Sequence, residues 1–485
     1  MLAIIVPAWW LGASTPGGQW ALLALAMFAL GAGGLAKGEE SGGRSAEPVV
    51  PGMGRAGRWC AVAALLFLGW ILVQALNPSH GLVPTFGRPE TTVGGTPAEL
   101  VERAHVAWLP SGLATPFARV GHDAMPHGNA WRQLLIFGGV LVLGASVVRV
   151  IDRGSRARRA LEWGAVQGAA FSAVALAYNL SDATLTYWKF YDPVYRLGGP
   201  EFPHDNQQVA YQLLLLAVAL AECLARGAAA PFKGRSGRRG WLIACAVIVY
   251  AGTVTCRPRS GLLLGTLLVA GALALKGWRS GGERRRLVGW IAGAGAAALL
   301  IALVTVRPLR ENVARFGEFA RQPSAVFTGG NFRPLQHRVA WAMIADRPWL
   351  GWGGGSYLYL SPVYAPRVPE LMQALQAQHQ NHWPVFPHAD GDWLEFLAEY
   401  GVLGAALPVT VAAAWAAWVL ARIRRLGTVP AVLAAGVALV LAQAAIDPVL
   451  RNPAVLGALV VTGWLTVVFQ QAEDAARRTA RASHG

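Results

Sequence analysis

Apolar windows of about 17 to 21 residues recur along this chain between polar, glycine- and proline-punctuated connections, and that length is the one a helix needs to cross a bilayer. The windows predict spans near 19–36, 59–76, 133–149, 160–180, 207–226, 241–255, 260–276, 287–306, 401–421, 429–446 and 453–470. A further apolar stretch at 2–12 is short, lacks the positive n-region and cleavage site of a signal peptide, and is read as a first helix. Lipid offers no partner for backbone N–H and C=O groups, so such spans are helical, and the alternating pattern of an outer-membrane strand is absent. The expected fold class is all-α, a polytopic membrane bundle of about 12 transmembrane helices.

Composition agrees: 54% of residues are hydrophobic, only 14% are charged, and the mean hydropathy is +0.39. The charges that remain orient the bundle. Lys and Arg crowd the connections 37–58, 150–159, 227–240, 276–286 and 422–428 and the tail, which marks them as cytoplasmic. Connections 77–130, 181–206, 256–259, 307–400 and 447–452 then lie outside. The expected organisation is a helical region at 1–306 with short loops, one large periplasmic loop at 307–400, further helices at 401–470 and a cytoplasmic tail at 471–485. The net charge of +16 is explained by this asymmetry and by attraction to anionic membrane lipid, so no nucleic-acid partner is expected. Four cysteines without C-x-x-C spacing read as structural, and no P-loop, G-x-G-x-x-G fingerprint or internal repeat suggests nucleotide-driven work.

Candidate chemistry gathers in Asn331–Gly404, where arginine, histidine and carboxylate are massed between apolar spans. Within it RVAWAMIADR (338–347) has helical spacing with Val339, Ala342 and Met343 on an apolar face, closed by Pro348, and GWGGGSY makes a turn-rich break. DWLEFLAEY (392–400) is amphipathic and runs into the next span, with His388, Asp390 and Asp392 just before or at its start, where a carboxylate also serves as a cap. Arg257 and Arg259, in TCRPRSGLLLG, stand where two helices meet at headgroup level. They either snorkel to the interface or present planar donor forks to a phosphate. In YRLGGPEFPHDNQQ, Asn206 or Asp205 either caps a helix or, with Arg196 and His204, lines the mouth of a cavity. The aromatics Tyr187, Trp188, Phe190, Tyr191 and Tyr195 suit an interfacial belt or a sugar-stacking platform. His379, His382 and His388 have a spacing zinc could use, yet no zinc signature such as H-E-x-x-H occurs, and no metal or other cofactor is expected.

Four patches together resemble the superfamily of O-antigen ligases and O-antigen polymerases, bacterial inner-membrane glycan transferases. Arg259-Ser260-Gly261 is similar to the family's serine-arginine-glycine type patch, and Gly199-Pro200 through Asn206 to its Gly-Pro-Phe-x-Asn patch. Arg338 before Pro348-Trp349-Leu350-Gly351-Trp352-Gly353 is similar to its arginine ahead of Pro-x-x-Gly-x-Gly. HADGDWLEFLAEYGVLG resembles the family's His-Asn-Asp-Tyr-Leu run followed by Glu-x-Gly-x-x-Gly, with one departure. Aligning Asp392-Trp393-Leu394 puts Asp390 where the family's histidine stands and His388 two residues earlier, so both stay open as the catalytic base. Histidine suits a base near neutral pH better than an exposed aspartate of pKa about 3.9.

The resemblance implies transfer of a glycan from an undecaprenyl-diphosphate carrier to a glycan, lipid or protein acceptor at the periplasmic face of the inner membrane, with no metal required. It would make His388 the base and Arg259 and Arg338 a diphosphate clamp, supported by Arg257 and Arg333. The competing class is a lipid-linked oligosaccharide flippase or transporter. Such a protein is expected to carry midplane charge and related halves, and neither shows in this sequence.

Overall fold

The computed structural model describes residues 21–29, 54–84, 92–93, 96–114, 129–180, 205–225, 238–256, 258–279, 289, 332–377 and 388–482. Residues 21–29 are helical, followed by α1 (Arg55–Leu76), α2 (Ala130–Val150), α3 (Gly154–Leu180), α4 (Asp205–Ala225), α5 (Arg238–Thr255) and α6 (Arg259–Arg279). After these come α7 (Arg333–Asp346), α8 (Tyr357–Tyr364), a 3-10 turn (Ala365–Arg367), α9 (Pro369–Ala377), α10 (Asp392–Leu420), α11 (Thr428–Gln443) and α12 (Pro453–Ala482). Seven of the described helices, α1, α2, α3, α4, α6, α10 and α12, are long and apolar enough to cross a membrane, and α5 and α11 are shorter apolar helices. The predicted span at 2–12, that at 287–306 apart from residue 289, and the connection 181–204 fall outside the described residues.

The bundle is built around α4. Val209, Ala210, Tyr211, Leu213, Leu214, Leu216 and Ala217 are fully buried there against α3, α5, α6, α11 and α12. A helix apolar on every face belongs at the centre of such a bundle. Midway along it, Gln212 donates to the Ser172 hydroxyl at 3.4 Å and accepts from the Cys256 thiol at 3.1 Å, which offsets the cost of burying its amide. Leu65, Leu66, Val247, Leu263 and Leu267 face outward, an arrangement that suits lipid and not water.

The all-α expectation needs one correction. Residues 78–114 hold four short strands, β1 (Pro78–Pro84), β2 (Thr92–Val93), β3 (Thr96–Glu102) and β4 (Gly112–Ala114), in the order β2-β3-β1-β4. β1 runs antiparallel to β3, with His80 opposite Glu102, and parallel to β4 across an irregularity between Pro78 and His80. Asn77 anchors this sheet to the end of α1: its side chain donates to Val106 O at 3.0 Å and Pro110 O at 3.2 Å, and accepts from Val106 N at 2.9 Å. Proline at both ends of β1 hides the segment from a sequence reading, because proline removes a ladder donor and reads as a breaker.

Candidate functional site

The α7 helix begins at Arg333, five residues before the predicted start, with Pro334 in its first turn, where a missing N–H costs nothing. Gln336, Val339, Ala340, Met343 and Ile344 form its buried stripe. Arg333 and His337, four residues apart, share one face, whereas Arg338 lies about 140° around the helix from Arg333. Arg338 accordingly points away, exposed, and pairs with Glu370 of α9 at 2.9 Å.

The segment after α7 is joined to α10 by an exchange of backbone hydrogen bonds. Gly401 interrupts α10 with φ 64° and ψ 177°, so Val402 and Leu403 no longer donate to Ala398 and Glu399. They donate to Pro348 O at 2.8 Å and Trp349 O at 3.3 Å, while Trp352 N and Gly353 N reach Ala398 O at 3.0 Å and Glu399 O at 2.7 Å. The two donors and two carbonyls thus released each find a partner in the turn. Gly351, at φ 69°, lies against the backbone of Glu399 and Gly401, too close for a side chain. From α1, Gln74 locks the joint by donating to Glu399 O at 3.0 Å and Leu350 O at 3.3 Å and accepting from Gly354 N at 3.2 Å. Arg347 extends the same assembly to the sheet, donating to Ser79 at 3.0 Å and Ser111 at 2.6 Å while lying 4.1 Å over the Trp352 ring.

Between this joint and the core, His388, Asp390, Arg333, Asn206 and the start of α6 are brought to one end of the bundle. Arg333 Nη2 lies 2.9 Å from Asp447 Oδ1, and its Nε lies 3.7 Å from Asp390 Oδ2. Asn206 stands inside α4 rather than before it and donates to the same Asp447 oxygen at 2.7 Å, so a capping role does not account for its side chain. Gln443, at the end of α11, donates to Asn206 O at 3.3 Å, Asp447 Oδ2 at 3.4 Å and Ser260 Oγ at 3.4 Å. The first turn of α6, and with it the backbone of Arg259, is thereby tied to the cluster. Burial pushes the Asp447 carboxyl up to about 6, with Arg333 holding it back. Burial raises Asp390 too, again opposed by Arg333. Asp390 has φ 53°, making it the one non-glycine residue with positive φ among those described. Aspartate tolerates this left-handed conformation better than most residues.

His388 sits beside a second, deeper cluster. Its Nδ1 is 3.3 Å from Glu395 Oε1, and the other oxygen of Glu395 accepts from Ala389 N at 2.9 Å. Burial by itself would lower the imidazole, but the Glu395 carboxylate outweighs it and holds His388 above its ordinary value. Glu395 in turn faces Arg451, which is only 6% exposed: Nη2 is 3.2 Å from Glu395, Nη1 2.6 Å from Glu399 and Nε 3.7 Å from Asp392. The guanidinium also lies 4.7 Å over the Phe396 ring, and Asp392 accepts from Leu450 N at 2.6 Å. The N-cap position of α10 is taken by Gly391, so Asp392 serves the 447–452 connection and not its own helix end.

Of the residues singled out in the sequence, His388, Asp390, Arg333 and Asn206 converge, whereas Arg338 does not. Arg196 and Arg257 fall outside the described residues, as do His379, His382 and the side chain of Arg259. Asp447, Arg451, Glu395, Gln443 and His337 were not anticipated. His337 Nε2 lies 3.3 Å from Asp390 O. Among the described residues, no group of three or more His, Cys, Asp or Glu is arranged to hold a metal ion.

Residues 235–409, from the edge of α5 into α10, match the family model described as O-antigen ligase. The match covers a little over a third of the chain and supports the resemblance to the O-antigen ligase superfamily. The matched stretch contains Arg259, Arg333, Arg338, His388, Asp390 and Glu395, while Asn206, Asp447 and Arg451, which complete the two clusters, lie on either side of it. No curated protein matches the chain. The similarity to O-antigen ligases and the seven long apolar helices agree in supporting an integral membrane protein.

Proposed function

We propose that the chain transfers a glycan from an undecaprenyl-diphosphate carrier to an acceptor hydroxyl at the periplasmic face of the bacterial inner membrane. The supporting observation is the convergence of His388, Arg333, Asn206 and the start of α6 at one end of the bundle. Lys276 and Arg279 lie at the opposite end of α6, and Arg422, Arg424 and Arg425 in the turn just beyond the far end of α10, as expected if that side is cytoplasmic.

In this reading His388 Nε2 takes the acceptor hydroxyl proton as the oxygen attacks the anomeric carbon. The bond from that carbon to the diphosphate oxygen breaks in the same step, and the configuration inverts. Undecaprenyl diphosphate leaves with the bonding electron pair, and arginines stabilise its developing charge. We place Arg333 ahead of Arg338 in the clamp, together with Arg259 and, beyond the described residues, Arg257 and Arg196. Arg333 shares the cluster with His388's neighbour Asp390, whereas Arg338 is engaged on the far face of α7. The raised Asp390 and Asp447 carboxyls are suited to take up protons when a diphosphate arrives, which would free Arg333 to turn toward it.

The test is glycan transfer from an undecaprenyl-diphosphate-linked oligosaccharide by the membrane-embedded protein, with lipid, glycan and protein acceptors compared. His388→Ala should lose about 10²- to 10⁴-fold in rate at normal abundance. Arg333→Lys, which keeps the charge but not the planar fork, should also lose activity. Full activity in both variants would sink the assignment.

A further inference from the structure

Three carboxylates on one face of α10 enclose a single buried guanidinium, and one of the three also touches the imidazole proposed as the base. Asp392, Glu395 and Glu399 are spaced three and four residues apart, which puts them on one side of the helix. Arg451 enters from the connection between α11 and α12, 58 residues beyond the start of α10 at its nearest backbone contact, the Leu450 N–H to Asp392. Glu395 is 3% exposed and would be expensive to bury as a lone anion. The 3.2 Å pair with Arg451 and the hydrogen bond from Ala389 N compensate for that burial.

We propose that Glu395, anchored by Arg451, is the positioning residue of the catalytic histidine: it fixes the proton of His388 on Nδ1 and leaves Nε2 to act as the base. This rests on the proposed function above. The geometry carries it, because Glu395 Oε1 faces Nδ1 at 3.3 Å while its Oε2 is held by Ala389 N, one residue from His388. The carboxylate therefore fixes both the ring and the backbone that bears it. An acid in this position orients the imidazole, selects its tautomer and stabilises the imidazolium formed when the acceptor proton arrives. Arg451 keeps Glu395 in place, and its hydrogen bond to Glu399 and its charge contact with Asp392 hold the guanidinium on this face. Asp392 and Glu399 are thus the outer supports of a chain running Arg451, Glu395, His388. The charged groups around His388 are Glu395 and Asp392 from α10, Arg451 from the 447–452 connection and Asp390 in its own loop. Arg333 and His337 of α7 stand beyond Asp390.

The experiment reads the ring directly as well as the activity. Diethyl pyrocarbonate acylates neutral imidazole, so the pH dependence of its reaction with His388 in the full-length, detergent-purified protein, read by peptide mass spectrometry, gives the ring's own midpoint. The wild-type midpoint should lie above 6.5, because Glu395 outweighs burial. In Glu395→Gln it should fall, since the amide accepts from Nδ1 without a charge. Transfer should drop on the order of 10²-fold, with the acid limb of its pH profile moving the same way. Glu395→Asp should recover part of both. A wild-type midpoint at or below 6.5 overturns the inference without any variant, and so does an unmoved midpoint in Glu395→Gln at normal abundance. An inactive His388→Ala alongside an unmoved midpoint overturns the inference alone, whereas a fully active His388→Ala brings down the proposed function itself.

Discussion

Arg451 and Arg333 are both bound by carboxylates at the same end of the bundle, yet they are built for different tasks. Arg451 is 6% exposed and enclosed by three acids from a single helix, whereas Arg333 is 39% exposed and shared between Asp390 and Asp447 from two separate connections. The partners of Arg451 come from within four residues of Glu395, so they hold their places as one rigid face. Those of Arg333 belong to turns, and their carboxyls are raised by burial, so a proton suffices to loosen the grip. A buried cation enclosed by carboxylates fixes geometry, whereas a rim cation with protonatable partners can change them. That contrast assigns Arg451 to the scaffold and Arg333 to the ligand side.

The sharpest way to break this comparison is to remove the buried member. Arg451→Ala strands three carboxylates out of water, and breaking a buried pair by deleting one partner costs about 3–5 kcal/mol. We expect severe loss of membrane abundance and of thermal stability in detergent. Arg333→Ala should leave both near normal, since Asp447 keeps its hydrogen bonds from Asn206 and Gln443, and burial already raises both carboxyls toward the neutral, protonated form. Equal stability losses in the two variants would erase the distinction.

A smaller effect is expected at the joint that holds both arginines' surroundings in register. Gly401 has φ 64°, and a Cβ there would meet Trp349 O and the Gly351 nitrogen. Gly401→Ala must either strain that backbone, at about 1–3 kcal/mol, or push the 348–353 turn away from α10. The measurable outcome is a lowered melting temperature together with faster amide exchange at Val402 and Leu403, whose donors the exchange of partners protects. Unchanged exchange would mean that the joint does not depend on this glycine.

Much of this was legible in the chain before its fold. The apolar windows located the long apolar helices among the described residues, and His388, Asp390 and Asn206 were singled out from residue type and position, with Arg333 named as a supporting charge in what the resemblance implied. The similarity of PWLGWG and EYGVLG to family patches was also visible, but their mutual dependence was not, because it resides in backbone hydrogen bonds made across the Gly401 break. Arg451 and Asp447 were overlooked for a different reason: a six-residue connection offers no pattern, although ionisable residues between two spans are themselves a signal. The spacing of Asp392, Glu395 and Glu399 held a stronger clue. Three like charges on one face repel unless a cation lies between them, so the stretch read as an amphipathic surface was the lining of a cation site. The sheet at 78–114 depends on pairing between distant short segments, and proline within them masks even the local propensity.

The smallest expected effect belongs to Arg338, and it decides which face of α7 meets the donor. Its pair with Glu370 joins two exposed side chains, each about half accessible, and such pairs contribute little to stability. A backbone hydrogen bond at Glu370, and after it the Arg338 guanidinium, pull this carboxyl below its ordinary value, yet water screens most of the energetic consequence. Arg338→Ala should therefore leave abundance and melting temperature unchanged. If the diphosphate is held on the face that carries Arg333 and His337, it should also keep glycan transfer within a few-fold of wild type. Salt adds a second reading: raising ionic strength should weaken donor binding to the wild type and to Arg338→Ala by the same factor if Arg338 never touches phosphate. A collapse of transfer at normal abundance would move the phosphate site to the outer face of α7, between α7 and α9, and would return Arg338 to the clamp where the family resemblance puts it.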